Sequence, residues 1–420
     1  MSIAAQGSFR EIKLNEIPLK GKVVNFYYYE SLLSPHITAN FTYVDTGATA
    51  IADKNNDVQS RIGTLSSAIP EMGNQTVSFV FENSLGKLDF TRYNLKVDRN
   101  AILAQESQRE SVFVRLTSPI ADQNEKNRVM GKFYNNIGDN ARKIIQNNLL
   151  VKSDRIKLDQ TRNSYAFTGS NRKPCDVLLD LAFSSIPTQG SPGFFFYETK
   201  SGIHFKSIDN LISQQPKETY FYNQTFRSEL ETDGNYRRIL QIPSKNNQGL
   251  LKSLESGMYS ARFNFMVIGG SEMMEERVYN IDDFKQKTLG RPFRFDRNLK
   301  SSPSRVYNVF IPIGMMEKGI KNVYNNDPRE FLPKAIMRYN LLFAQRMDIL
   351  IPCNPNLEAG DVIKCHFDKI TMGNKALGST DQNQSGKYLI LNLCHYYGTT
   401  TSYTALTLVR DTYGEYTGAS

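Results

Sequence analysis

The chain has 420 residues, of which 40% are hydrophobic and 22% are charged, a balance typical of a folded protein. Its 51 lysine and arginine residues exceed its 42 aspartate and glutamate residues, and the formal net charge of +9 favours acidic partners without identifying one. The sequence has no apolar run of membrane-helix length, no apolar signal-peptide core near its start and only four cysteines. These features exclude a membrane helix and a disulfide scaffold, and we expect a soluble chain made in a reducing cytoplasm.

The first 119 residues have the pattern of antiparallel β structure. Apolar and polar residues alternate between Ile37 and Val44, so that one face of a strand is apolar and the other is polar. Strands are predicted over residues 21–29, 36–44, 77–81, 90–97 and 111–116. Several short strands separated by turn residues favour a barrel or a sandwich.

The pattern changes to helical spacing after residue 119. Apolar residues every three or four positions predict one amphipathic helix from Ala121 to Leu150. A second helix is predicted to begin near Pro174, because proline is favoured in a first helical turn. Residues 194–198 and 203–205 then predict a β-hairpin, which makes residues 120–212 an α+β segment.

The second half of the chain is less regular at first and then returns to β structure. Residues 213–310 form a mixed segment, with possible strands at 218–226 and 258–267 and a basic loop at 287–305. In residues 311–420, alternation predicts a long half-exposed strand from Met337 to Ile351, followed by strands at 362–367, 387–393 and 403–409. The fold class expected is therefore α+β and mainly β.

No sequence motif indicates an enzyme. The chain contains neither a Gly-x-Ser-x-Gly elbow, nor a phosphate-binding P-loop, nor a dinucleotide fingerprint. The dipeptides Cys365-His366 and Cys394-His395 could together supply four zinc ligands. Adjacent strand residues point to opposite faces, however, so we favour buried thiols beside structural imidazoles. We predict no catalytic residue, no cofactor-binding residue and no metal site.

Two further features each allow a ligand-binding interpretation and an ordinary structural one, and we prefer the structural one. The basic aromatic stretch Arg291–Arg297 could bind nucleic acid through charge and stacking, but a charge cluster alone indicates only general attraction. The three consecutive phenylalanines Phe194–Phe196 are interpreted as part of the hydrophobic core rather than as a ligand-binding site.

Several short sequence segments, which we call phrases, occur along the chain in an order that resembles the baseplate central hub proteins of contractile-tailed bacteriophages. Each phrase alone has moderate specificity, and their order carries the resemblance, which is weakest between about 213 and 330. The phrases are residues 29–37 with the following strand and Asp45, residues 171–179, residues 193–208, residues 357–363, residues 385–390 with His395, and Arg410-Asp411.

The resemblance implies two tail-tube-like antiparallel β-barrel domains with α+β segments between them. The first barrel would span residues 1–119 and the α+β domain 120–212. Residues 213–310 would belong partly to the second barrel and partly to an insertion, and the second barrel would span 311–420. A homotrimer of such chains would form a ring of six barrels in the virion tail baseplate, after synthesis in the host cytoplasm.

The resemblance also implies partners and a structural function. The ring would join a central cell-puncturing spike protein to tail tube or tube-initiator proteins, contact baseplate wedge proteins, and line a channel for the tape-measure protein and DNA. Two alternatives stay open within tails, a hub of a related contractile injection apparatus and a glycan-binding or glycan-cleaving tail protein. A third alternative is a nucleic-acid-binding protein that uses the 287–305 loop.

Overall fold

The structure is a computed structural model that describes residues 7–46, 51–52, 58–59, 75–106, 109–222, 236–247, 249–268, 274–283, 287–291, 296–312, 326–369 and 380–412. Its first part is made of strands whose buried and half-exposed residues alternate, as the sequence pattern predicts. The strands are β1 (Ser8–Leu14), β2 (Ile17–Pro18), β3 (Val23–Ser31), β4 (Thr38–Asp45), β5 (Ile51–Ala52), β6 (Val58–Gln59), β7 (Thr76–Glu82), β8 (Lys87–Asp89), β9 (Leu95–Glu106) and β10 (Arg109–Thr117). We refer to β1–β4 and β7–β10 as the first β block.

The next part, the helical unit, packs helices beside short strands around its own core. Its elements are α1 (Pro119–Lys126), β11 (Lys132–Phe133), α2 (Ile137–Asn147), a 3₁₀ turn (Ser153–Arg155), β12 (Ile156–Leu158), β13 (Phe167–Thr168), α3 (Pro174–Ser184), β14 (Phe194–Thr199), β15 (Gly202–Ser207) and α4 (Ile208–Ile212). Pro174 begins α3, and β14 pairs with β15 as a hairpin, so the second helix and the hairpin are confirmed.

The prediction of one helix from Ala121 to Leu150 is wrong. α1 ends at Lys126, and Gly131, which has a positive φ of 88°, lies in the turn before β11. The predicted apolar residues are nevertheless buried, including Val129, Phe133 and Ile137. The helical spacing identified the buried side correctly, but a β11–β13 pair interrupts the helix between α1 and α2.

The less regular part contains strands that belong to two different sheets. Its elements are β16 (Thr219–Tyr222), β17 (Gln241–Asn247), α5 (Leu250–Glu255), β18 (Ser260–Ile268), β19 (Met274–Asn280), a 3₁₀ turn (Ile281–Asp283), α6 (Arg297–Ser301) and β20 (Arg305–Pro312). β19, β18 and β20 form a separate three-stranded sheet, which we call the insert sheet.

The final part consists of one helix and four strands, α7 (Pro328–Leu342), β21 (Gln345–Pro352), β22 (Val362–Phe367), β23 (Gly386–Gly398) and β24 (Ser402–Arg410). The predicted strand from Met337 to Ile351 is therefore wrong before Gln345. Residues 337–342 form the end of α7, whose buried side includes Ala335, Arg338 and Leu342. The sequence alternation failed here because Arg338, although charged, occupies a core position.

The two β blocks are joined into one sheet of 14 strands. The central order is β17-β21-β24-β23-β3-β4-β10-β9-β7-β1-β2, with β16 and β22 attached through β23 and β8 through β7. We call β16, β17 and β21–β24 the second β block. The blocks meet where β3 pairs antiparallel with β23, with Tyr27 opposite Tyr396. The two β-barrel domains that the resemblance implies are not found as closed barrels among the described strands, which form one continuous sheet through this seam.

One hydrophobic core lies beneath both β blocks, from Ile12 and Phe26 in the first to Leu393 and Leu408 in the second. The expectation of an α+β fold that is mainly β is confirmed. The domain limits 1–119, 120–212, 213–310 and 311–420 stay a prediction. None of the helices in the described ranges has the length and hydropathy needed to cross a membrane.

Candidate functional site

The tip of the β14–β15 hairpin inserts charged residues between the two β blocks. The tip lies beside the end of β3 on one side and beside the loop that joins β21 to β22 on the other. We call the charged residues that meet there the junction cluster: Glu30, Glu198, Lys200, Glu358 and Asp361. Three of the phrases that carry the hub resemblance, residues 29–37, 193–208 and 357–363, therefore meet in space.

Glu30 connects all three segments of the junction cluster. Its carboxylate accepts hydrogen bonds from Tyr28 Oη at 2.7 Å, from the backbone N–H of Lys200 at 2.7 Å and from the backbone N–H of Ala359 at 2.9 Å. Burial, and secondarily the charge of Glu358, raises the pKa of Glu30 to about 7. Two backbone donors on different segments tie β3 to both the hairpin and the β21–β22 loop.

Glu198 makes a second link between the hairpin and the first β block. Its carboxylate accepts from the backbone N–H of Ile37 at 3.0 Å and from Tyr93 Oη at 2.6 Å. The Arg155 guanidinium lies 3.7 Å from the centre of the Tyr93 ring. Burial raises the pKa of Glu198, while its hydrogen bonds oppose that shift. The helical unit is thereby attached to the residue before β4 and to the segment that precedes β9.

Lys200 and Glu358 link the hairpin tip to the second β block. Lys200 Nζ donates to the carbonyl oxygens of Pro355 and Leu357, and it lies 4.0 Å from Glu358 Oε1. Glu358 Oε2 accepts from Thr199 Oγ1 at 2.7 Å. Burial lowers the pKa of Lys200 and acts to raise that of Glu358, but the Ser201 hydrogen bond and the Lys200 charge bring the pKa of Glu358 below its ordinary value.

A tight turn holds the second β block against the hairpin. Asp361 Oδ2 accepts from the backbone N–H of Glu358 at 2.7 Å and from Lys217 Nζ at 2.9 Å. Gly360 has a positive φ of 91°, and a Cβ atom at this position would lie 2.5 Å from Tyr197 Oη. The turn therefore requires glycine, both for its backbone conformation and for the close approach of the Tyr197 ring.

A second buried ionic group joins α7 to α4 and to the end of β24. The Arg338 guanidinium on α7 is 2.9 Å from Asp209 Oδ1 and 2.8 Å from Asp411 Oδ2, and it also donates to the Lys287 carbonyl at 2.9 Å. All three charged side chains are at least 99% buried. The neighbouring Arg410 donates to the Ser385 carbonyl at 3.1 Å, so the Arg410-Asp411 phrase closes the end of β24.

The two Cys-His dipeptides lie too far apart to share a metal ion. Cys365 pairs with Gly386 across β22 and β23, eight residues before Cys394. At about 3.3 Å per residue, this is a separation of about 26 Å along β23. His395 is buried and its Nδ1 lies 2.8 Å from Thr404 Oγ1, whereas His366 stacks on Phe221. Within the described ranges, no group of three or more His, Cys, Asp or Glu side chains could hold a metal ion.

The predicted basic loop falls partly outside the described residues. Residues 292–295 are not described, and Asp296 caps α6 by accepting from the backbone N–H of Asn298 at 2.8 Å. The described residues from 297 to 301 are helical rather than looped. Phe194 and Phe196 are buried in the core of the helical unit and Phe195 in a neighbouring core, as expected for core residues.

The junction cluster was not recognised from the sequence as a group, although one signal was available. Glu30 lies on the same face of β3 as the core residues Phe26 and Tyr28. A carboxylate on the core-facing side of a strand indicates a buried polar contact. Chemically, the cluster joins segments: each carboxylate accepts bonds from at least two groups, and the lysine donates to two carbonyls.

The fold is similar to that of known tail proteins over nearly the whole chain. The crystal structure of a tail protein from Neisseria meningitidis MC58 is similar at a TM-score of 0.58 and 10% identity, covering 97% of this chain and 97% of that one. The 43 kDa tail protein of prophage MuSo2 from Shewanella oneidensis is similar at 0.55 and 8% identity, covering 97% and 99%. No protein-family model and no curated protein matches the sequence. The chain has the fold of these tail proteins.

Proposed function

We propose that the chain is the structural hub of a phage tail baseplate, in which three copies form a ring around a central channel. The observation that carries this proposal is the seam between β3 and β23, which fuses two β blocks into one sheet. A chain with two rigidly joined blocks suits a ring in which three copies present six similar blocks. This geometry would match a trimeric spike below the ring to a sixfold tube above it.

The fold comparison and the resemblance support the same function. Both tail proteins have this fold over nearly their full lengths, and the hub-like phrases lie at the contacts that hold the blocks together. In the assembly we propose, the partners are the central spike, the tube or tube-initiator, the wedge proteins, and the tape-measure protein and DNA in transit. The location is the baseplate of the virion.

Exposed apolar surface on the insert sheet supports an assembled state. Met274 on β19 and Phe310 on β20 flank Met266 of β18, and they are 61% and 64% exposed. Exposed apolar side chains that are adjacent across strands are typical of surfaces covered by another protein. The insert sheet therefore suits a contact with a neighbouring subunit or baseplate protein.

Mass measurement of the purified chain tests the proposal, alone and with the spike protein of the same tail. We expect a species of three chains in at least one of these samples. Stable monomers in both samples, at concentrations of tens of micromolar, would contradict the hub.

The proposal also assigns no catalytic role to the buried carboxylates. In an assay of peptidoglycan and polysaccharide hydrolysis, we expect no activity from the wild-type chain. Hydrolysis that disappears in Glu30→Gln or Glu198→Gln, while both variants remain folded, would favour the glycan-cleaving alternative.

A further inference from the structure

The outer face of the seam carries a row of hydrogen-bond donors and aromatic rings. On β3, β4 and β23 the residues of this face are half-exposed and alternate with the buried core residues. The strand registers place six residues side by side across six adjacent strands. This set, the seam row, is Arg99, Arg115, Asn40, Tyr27, Tyr396 and Tyr403.

The seam row is continuous across the two β blocks. The Tyr27 and Tyr396 ring centres are 4.8 Å apart, and those of Tyr396 and Tyr403 are 4.6 Å apart. Strands spaced by about 4.8 Å make a row of six residues about 24 Å long. Because neighbouring rings in the row are in contact, this part of the row is a continuous surface without gaps between the rings.

The charge of the row is of one sign. Arg99 lies directly opposite Arg115 in the β9–β10 pairing, an arrangement that is unfavourable for like charges. Arg115 is 3.4 Å from Asp98, and its side chain remains 56% exposed. A groove of about 400 Å³ beside the pair is lined by Tyr29, Thr38 and Phe113, among others. Asp98 offsets part of the Arg115 charge, and an anion from outside the chain would further stabilise the two opposed guanidiniums at this open groove.

Every side chain in the row can donate a hydrogen bond, and none is a carboxylate. Arginine, asparagine and tyrosine side chains are the groups that contact DNA phosphates without reading sequence. A DNA duplex presents a negative charge about every 1.7 Å along its axis. A phosphate therefore lies near the arginine pair at every position of the duplex along that axis. An acidic polypeptide would need carboxylates at matching positions.

We propose that the seam row is a sequence-independent contact surface for the DNA backbone. This inference rests on the proposed function, in which DNA passes through the ring, and it assigns the outer face of the β3–β23 seam to the channel. Only two positive charges contact the DNA from each chain. The contact is therefore weak and salt-sensitive, as transit requires.

The test measures binding of a fluorescent 24-base-pair duplex to the full chain by anisotropy, between 25 and 200 mM salt. The variant is Arg99→Gln with Arg115→Gln. Each lost phosphate contact lowers the slope of log K against log salt by about 0.9, so we expect the slope to fall by about 2 and the Kd at 50 mM salt to rise about 10-fold or more. Melting temperatures of all variants should stay close to that of the wild type.

The matched control is Lys132→Gln with Lys152→Gln, which removes the same charge from two exposed positions of the helical unit. We expect this control to change the Kd less than about twofold. Equal weakening in both double variants, unchanged binding in the arginine variant, or no binding by the wild type at 25 mM salt would overturn the proposal. Displacement of the duplex by poly-glutamate at equal charge concentration would overturn it in favour of an acidic polypeptide.

The hub proposal and the DNA-contact proposal can be contradicted independently of each other. A threefold ring that does not bind duplex would remove the DNA contact and leave the hub intact. A chain that forms no ring contradicts the hub, whatever the outcome of the DNA measurement.

Discussion

The two faces of β3 differ although they belong to the same nine residues. On the inner face, Tyr28 and Glu30 are buried, and the Glu30 carboxylate accepts three hydrogen bonds from its own chain. On the outer face, Tyr27 and Tyr29 are half-exposed, and the row through Tyr27 ends in two opposed arginines. The inner face satisfies its charges within the chain, whereas the two opposed arginines of the outer face are exposed and have one nearby carboxylate, Asp98.

In the hub that we propose, this difference would separate two tasks, holding the chain together and contacting another molecule. Inward-facing charges fix the relative position of the β blocks and the hairpin, because unpaired buried charges are strongly unfavourable. Outward-facing charges contribute little to folding, because they remain in contact with water. Substitutions on the inner side should therefore change stability, and substitutions on the outer side should change binding.

The largest expected effect comes from Arg338→Gln. This change leaves Asp209 and Asp411 buried without their cation, and it should lower the free energy of unfolding by about 3–5 kcal/mol. Urea denaturation measures the change. The control Arg262→Gln removes a half-exposed partner of Glu276 and should lower it by less than about 1 kcal/mol. Similar losses in both variants would remove the distinction between inner and outer charge.

The next effect is expected from Gly360→Ala. The positive φ of 91° and the close Tyr197 Oη atom should together lower the free energy of unfolding by about 2–3 kcal/mol. Gly21→Ala is the control, because Gly21 also has a positive φ, of 82°, but no atom lies within 4 Å of the Cβ position. Its loss should be about 1 kcal/mol. Equal losses in urea denaturation would mean that the turn does not depend on the Tyr197 contact.

Glu30 gives the inner face a dependence on pH. Its folded-state pKa of about 7 lies above the ordinary 4.5, so the folded chain holds this proton more tightly than the unfolded chain does. The contribution of Glu30 to stability is therefore greatest below pH 4.5 and is lost as the pH rises through 7. Relative to Glu30→Gln, the wild type should lose stability between pH 5 and pH 8 in thermal melts. A constant difference across this range would contradict the raised pKa.

The smallest effect is expected on the outer face. Arg99→Gln removes one of two like charges that face each other, and it should raise the free energy of unfolding by a few tenths of a kcal/mol. Chemical denaturation at low and high salt measures this gain, which should diminish at high salt because salt screens the repulsion. A loss above about 1 kcal/mol would show that Arg99 supports the fold.

Local patterns predicted the strands of both blocks better than they predicted the helices. Alternation identified the strand that contains Phe41 and the strand that contains Leu393, because each has one buried face. The same rule failed at Met337, where alternating apolar residues lie on a helix and Arg338 is buried through its aspartate partners. A buried ion pair depends on residues more than 70 positions apart, and periodicity does not report such contacts.

The junction cluster shows the same limit. Glu30, Glu198 and Glu358 occur in three phrases whose order resembles the hub family, but order along a chain does not show that they meet. Their meeting depends on the hairpin tip reaching between the blocks, which is a tertiary arrangement. The joined sheet was also not predicted, because the β3–β23 pairing connects residues more than 350 positions apart.

Electron-microscopic imaging of the purified chain, alone and with the spike protein that we propose as its partner, tests the central claim most directly. We predict threefold particles with a central channel and two β blocks from each chain around it. Isolated single chains in both samples, or a ring with no channel, would contradict the account.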